Sequence, residues 1–203
     1  MAVDKDNVED LMEWIGEQRG TPYFANIMLY ASQQLSIGNN QLLKFDHALT
    51  QTSSAPQRVL ATQYVNSLHY TDKLIGELVR GVDLTTTTVV VTGHRGNDLT
   101  RLYNQSSSDH SQVNLKVPLI IVGPNFEPQQ VTKATSHYDV LPTLLKSHFK
   151  CGNPASDISV GYDIKSTQQS DMFYLGNAHY FSLYKNGNNT QIDRQGQYRF
   201  FDK

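Results

Sequence analysis

The chain has 203 residues, with 17 Lys plus Arg against 19 Asp plus Glu and a formal net charge of −2. That is enough for one or two folded domains, and it lacks the basic field that draws proteins to nucleic acid. No apolar run approaches the roughly 18–20 residues that cross a bilayer, and residues 1–20 carry acids where an export signal has basic and then apolar residues.

Asp4 or Asp6 caps a first helix in which Val8, Leu11, Met12 and Ile15 recur at helical spacing, ended by Arg19 and Gly20. Gly20, Thr21 and Pro22 punctuate the chain, and the apolar and aromatic run 23–30 predicts a mostly buried strand. On that reading Trp14, Tyr23, Phe24 and Tyr30 belong to the core and not to a lipid contact. Residues 32–55, rich in Gln, Ser, Asn and Thr, predict a long loop with a helical turn near 42–45. Ser54 and Pro56 open a long helix to about Gly81, with Leu60, Tyr64, Leu68, Ile75, Leu78 and Val82 as its apolar stripe. Gly76 inside it predicts a second backbone packed close by. His47 and His69 read as loop and helix-surface residues.

Residues 85–92 (TTTTVVVT) and 117–122 (VPLIIV), each followed by a glycine, predict central strands of a covered, largely parallel sheet. A helix follows over 138–149, with Ser136 as cap and Pro142 tolerated in its first turn. Asp139 is then a first-turn acid favoured by the helix dipole, and His137 a capping or packing residue. Cys151, the single cysteine, excludes an intrachain disulfide and a cysteine zinc cluster and reads as a buried structural thiol. Alternating segments at 172–175, 180–184, 190–193 and 198–201 predict a small antiparallel sheet. The sequon Asn188-Asn189-Thr190 reads there as part of a hairpin turn. The fold class is α/β, organised as residues 1–150 with a β subdomain over 151–203 packed on it.

Open α/β sheets bind ligands beyond the carboxyl ends of their strands. After TTTTVVVT comes Gly93-His94-Arg95-Gly96-Asn97-Asp98. Two glycines let the backbone turn sharply and present the pair between them, so His94, Arg95 and Asn97 are candidates for holding an anion or a lipid headgroup. His94 is the one side chain of this turn suited to a metal. Asp109-His110, in a serine-rich loop, reads as solvated and not as a ligand pair, and Asp83 and Asp98 read as solvated turn residues.

In chain order, Tyr64, Asp72 and Ile75-Gly76, the strand reaching Thr92-Gly93, Val117-Pro118-Leu119-Ile120-Ile121, and 136–145 (SHYDVLPTLL) resemble successive blocks of the sulfatase and alkaline phosphatase superfamily, in its C-terminal half. Within it the chain is similar to Gram-negative inner-membrane proteins of the YejM/PbgA type, through 153–157 (NPASD) and the closing strands with Asn186-Gly187. The resemblance implies an alkaline-phosphatase-like mixed sheet flanked by helices, on the periplasmic side of the inner membrane. It also implies an upstream membrane-spanning segment and a lipid, a lipopolysaccharide-related ligand or a membrane protein as partner.

Active members hold their metal with the Asp and His of an "SDHG" block; here His94 and Arg95 stand at those positions. A guanidinium stays protonated and has no lone pair to donate, so no intact catalytic residue and no cofactor are expected in this chain. The resemblance further places the nucleophile and remaining ligands in an N-terminal half that is not part of these residues. Two functions follow. One is a non-catalytic sulfatase-like module that acts in lipid or lipopolysaccharide homeostasis by binding. The other is a divalent-metal-dependent sulfatase, phosphodiesterase or phosphoethanolamine transferase with its nucleophile upstream.

Overall fold

The computed structural model describes residues 3–18, 20–34, 55–96, 116–176, 180–185 and 188–201. The chain divides into two compact units, Met1–Pro124 and Asn125–Lys203, whereas the change of sequence texture falls after residue 150. The expected turn at 42–45, His47, Asn97, Asp98 and Asp109-His110 lie outside the described residues.

In the first unit, α1 (Val3–Glu17), α2 (Ala31–Gln34) and α3 (Ala55–Gly81) surround a cluster of Val8, Ala31, Tyr70 and Leu74. Burying Leu74, 1% exposed, is worth about 2 kcal/mol. The inward stripe of α3 is centred on Tyr70 and Leu74 and is more polar than expected: Leu68 is 41% exposed, while Asn66 and Ser67 are buried. Small polar side chains tolerate this because they bond their own helix. Asn66 Nδ2 donates to Thr62 O at 2.9 Å, and Ser67 Oγ to Tyr64 O at 2.7 Å. Burial raises the phenol pKa of Tyr64 and Tyr70 above its ordinary value. A Cβ on Gly76 would first meet the Arg80 guanidinium, 3.1 Å away, and not a second backbone.

Asp4 lies inside α1 rather than capping it. Its buried carboxylate accepts the N–H groups of Tyr30 and Ala31 at 2.9 and 2.7 Å, which ties α1 to the start of α2. Residues 21–30 belong to no helix or strand, and only part of them joins the core: Ile27 and Leu29 pack against the cluster, while Phe24 is 87% exposed and Tyr30 41%. Trp14 is also exposed and meets Tyr23 edge-on, with centroids 5.7 Å apart. Composition reports the capacity to be covered on two faces; it does not supply the cover.

Among the described residues the sheet of this unit is a two-stranded antiparallel ribbon of β1 (Val89–Thr92) and β2 (Leu119–Val122), with Val89 opposite Val122 and Thr92 opposite Leu119. The expectation of parallel central strands is therefore corrected, because an apolar run reports burial and not strand direction. The threonine run also yields only half a strand. Asp83 accepts the N–H and the hydroxyl of Thr85 at 2.9 and 2.6 Å, and its carbonyl accepts Thr87 N at 2.8 Å, so residues 83–87 form a turn.

In the second unit a single-turn 3-10 helix, His137–Asp139, leads into α4 (Val140–His148). Ser136 and Asp139 form a reciprocal capping box, as Ser136 Oγ accepts Tyr138 N and Asp139 Oδ2 accepts Ser136 N at 2.7 Å. After α4, residues 159–166 fold back on it. Gly161 sits where a Cβ would lie 2.3 Å from the Tyr138 carbonyl. Lys133 Nζ donates to the carbonyls of Asp163, Ser166 and Gln168 at 3.0, 2.7 and 2.7 Å, which satisfies all three of its protons. Cys151 is half-buried and free, its Sγ 3.5 Å from Asn153 Oδ1.

The last element is the antiparallel meander expected from sequence: β3 (Met172–Gly176), β4 (Tyr180–Lys185), β5 (Asn188–Asp193) and β6 (Tyr198–Phe201), paired in that order. The sequon lies at the start of β5, with Asn188 opposite Lys185. The turn from β5 to β6 closes on Asp193 Oδ1, which accepts Gln195 N and Gln197 N, and Gly196 supplies the required positive φ of 78°.

Candidate functional site

The carboxyl end of β1 is held in place before its side chains are displayed. Thr92 Oγ1 donates to Pro118 O at 2.9 Å, and Gly93 N donates to the same carbonyl at 3.3 Å. A Cβ on Gly93 would stand 3.0 Å from Val117 Cβ, closer than side chains normally approach. Gly93 has no positive φ; glycine is needed here for the closeness of the β2 lead-in.

Immediately beyond this clamp the backbone bends, and His94 and Arg95 are both exposed. The structure thus brings His94 and Arg95 together on one strand end, while their expected companion Asn97 is outside the described residues. An exposed guanidinium beside an imidazole offers donors in a fixed fork plus one ring nitrogen, chemistry that suits a phosphate, sulfate or carboxylate. Arg95 contributes no lone pair to a divalent metal, whereas the imidazole of His94 can; among the described residues no three His, Cys, Asp or Glu side chains gather in ligating positions. At the other end of the strand Asp83 is held below its ordinary pKa, chiefly by the Thr85 hydroxyl and N–H.

His137 and Asp139, neighbours in sequence, are sorted apart. Asp139 is 4% exposed and serves as a structural acceptor, in line with its reading as a first-turn acid. His137 is exposed and borders a shallow depression of about 550 Å³, together with Tyr138, Leu141, Asp157, Ile158 and Val160. Sequence reasoning missed this depression, because its walls come from two segments joined only by the fold.

The family model described as Sulfatase matches residues 1–147. This chain belongs to the sulfatase family. Its helices and antiparallel sheets accord with the sulfatase type of α/β fold. Among its relatives, an uncharacterized protein of Haemophilus influenzae is 22% identical over 144 residues, which is 70% of this chain and 25% of the relative. The inner membrane protein YejM of Salmonella typhimurium and that of Salmonella typhi are each 38% identical over 78 residues, 38% of this chain and 13% of the relative. The chain therefore spans a quarter or less of the length of these relatives. Although the YejM relatives are inner-membrane proteins, no helix among the described residues is long and apolar enough to cross a membrane.

Proposed function

We propose that this sulfatase-like domain is a non-catalytic binding module of an inner-membrane protein. It faces the periplasm and acts in lipid or lipopolysaccharide homeostasis, with His94 and Arg95 holding an anionic headgroup. The observation that carries this reading is Arg95: exposed at the end of a clamped strand, permanently cationic, and standing where a metal-ligating imidazole is expected. The ligand is then a phosphate-bearing lipid, and a membrane-spanning segment elsewhere in the polypeptide keeps the domain at the bilayer.

The test uses the full-length protein in detergent. Metal analysis is expected to find no stoichiometric zinc, manganese or calcium. Binding to phosphatidylglycerol-containing vesicles is expected to weaken roughly tenfold in Arg95→Ala, the loss of about one charge-assisted hydrogen bond. Stoichiometric metal, or vesicle binding indifferent to Arg95, overturns the reading.

Membership of the sulfatase family favours a second reading, in which a nucleophile elsewhere in the polypeptide makes the whole protein an ester hydrolase or phosphoethanolamine transferase and His94 still ligates a divalent metal. It requires sulfate-ester or phosphodiester turnover that disappears in His94→Ala.

A further inference from the structure

The loop behind α4 turns three carbonyl oxygens toward one cation. Residues 163–168 curl on themselves: Asp163 O accepts Ser166 N at 3.0 Å and Ser166 Oγ at 2.8 Å, and Gln168 N donates to Ser166 Oγ at 3.3 Å. The curled loop aims the carbonyls of Asp163, Ser166 and Gln168 at a single point, the Lys133 ammonium, from 3.0, 2.7 and 2.7 Å. Carbonyl dipoles that converge in this way repel one another through their negative ends, and a cation between them reverses the sign of the interaction. That cation arrives from the chain ahead of α4, 30 to 35 positions earlier in sequence.

We infer that residues 163–168 form a cradle for a monovalent cation, that the Lys133 ammonium is its built-in occupant, and that a free ammonium ion takes the cradle when that side chain is removed. Distances set the class of ion. Ca2+ draws its oxygen ligands to about 2.3–2.6 Å and Mg2+ to about 2.0–2.1 Å, both shorter than the 2.7–3.0 Å found here. Three backbone carbonyls are the donor type that replaces the hydration shell of a monovalent cation, and at these distances they match the three protons of an ammonium. Ile164 is pinned separately, because its N–H donates to Thr143 Oγ1 at 2.8 Å. The charge of Lys133 therefore governs the stretch beyond it, residues 165–168. A cation supplied by the chain keeps this loop ordered whatever ions surround the protein. The inference is independent of the reading of His94 and Arg95.

The test reads hydrogen exchange in the full-length protein at Lys165, Ser166 and Gln168, whose amides the curled loop bonds internally. Lys133→Ala is expected to speed their exchange at least about tenfold. Ammonium chloride raised to about 0.5 M is expected to return most of that protection. Tetramethylammonium chloride at the same ionic strength, which has no N–H and is too large for the cradle, is expected to return none. Lys133→Met keeps an apolar stem in place of the charge, is expected to loosen the same amides, and serves where the Ala variant does not fold. Unchanged protection in Lys133→Met overturns the inference. So does a Lys133→Ala loop that ammonium leaves as loose as before, or that tetramethylammonium restores equally well.

Discussion

Asp139 accepts the backbone N–H of Tyr162 at 2.7 Å, across 23 positions of sequence, while its other oxygen accepts Ser136 N. One buried carboxylate therefore caps the helix that contains it and fixes the returning loop. Thr143, one turn on, repeats the pattern: its hydroxyl donates to Asp139 O at 2.6 Å and accepts Ile164 N at 2.8 Å. Asp139→Ala leaves two half-buried backbone donors unpaired and is expected to destabilise the protein by about 2–4 kcal/mol. Asn at this position, which keeps one acceptor, is expected to cost roughly half as much. Chemical denaturation of the two variants measures both, and equal losses would show that the acceptor Asn retains contributes nothing.

Gly161 completes the same knot. A side chain there would meet the Tyr138 carbonyl carbon and oxygen at 2.3 Å and Asp139 N at 2.6 Å, all backbone atoms that α4 holds fixed. Gly161→Ala is expected to cost more than about 2 kcal/mol and to speed hydrogen exchange at Tyr162 and Ile164. A variant with wild-type stability would mean that the 159–166 loop is not pinned as described.

At the candidate site the corresponding contact is between Gly93 and Val117. Gly93→Ala is expected to destabilise by about 1 kcal/mol through crowding, and Val117→Gly in the same molecule, which removes the Cβ that the new methyl meets, is expected to add less than its own separate cost. A double-mutant cycle by thermal or chemical unfolding measures the coupling. Additive effects would place the two residues apart.

The turn before β1 carries a pH signature. The Thr85 hydroxyl and N–H hold Asp83 below the ordinary value of 3.8. Because the folded pKa is depressed, this contribution is present in full above the ordinary carboxylate range and is lost as pH falls through the lowered value. NMR titration of Asp83 is expected to give a pKa below that of a free aspartate, and in Thr85→Val to give one closer to it. No change in Thr85→Val would rule out the hydroxyl as the main cause.

Anion binding by Arg95, if it proceeds as proposed, is electrostatic at an exposed position and is expected to weaken as ionic strength rises and the Debye length shortens from about 10 Å at 0.1 M to about 3 Å at 1 M. Vesicle co-sedimentation across that range provides the check, and salt-independent binding would point instead to apolar contact.

Some of this was legible directly. Helical spacing located α1 and α3, Ser136 announced the cap, and alternation marked out β3 to β6, because each of these signals lies within a few residues of chain. The stripe of α3 was misjudged by its largest side chains. Leu68 stands exposed while Ser67 is buried, since orientation about the helix and not size decides which face turns inward. Threonine repetition suggested a strand over 85–92, but the Asp83 side chain competed for the first backbone groups and won.

Residue type alone determined the chemistry at the end of β1: an arginine beside a histidine, one permanently charged and without a lone pair, is set before any folding occurs. Tertiary structure decided the rest. It ran β1 and β2 antiparallel, made Gly93 a point of close approach, buried Asp139 as a staple while leaving His137 exposed, and packed Ile27 and Leu29 against the core but not Phe24. Strand direction, burial and cover depend on which distant segments meet, and a pattern of apolar residues states the need for such a partner without specifying it.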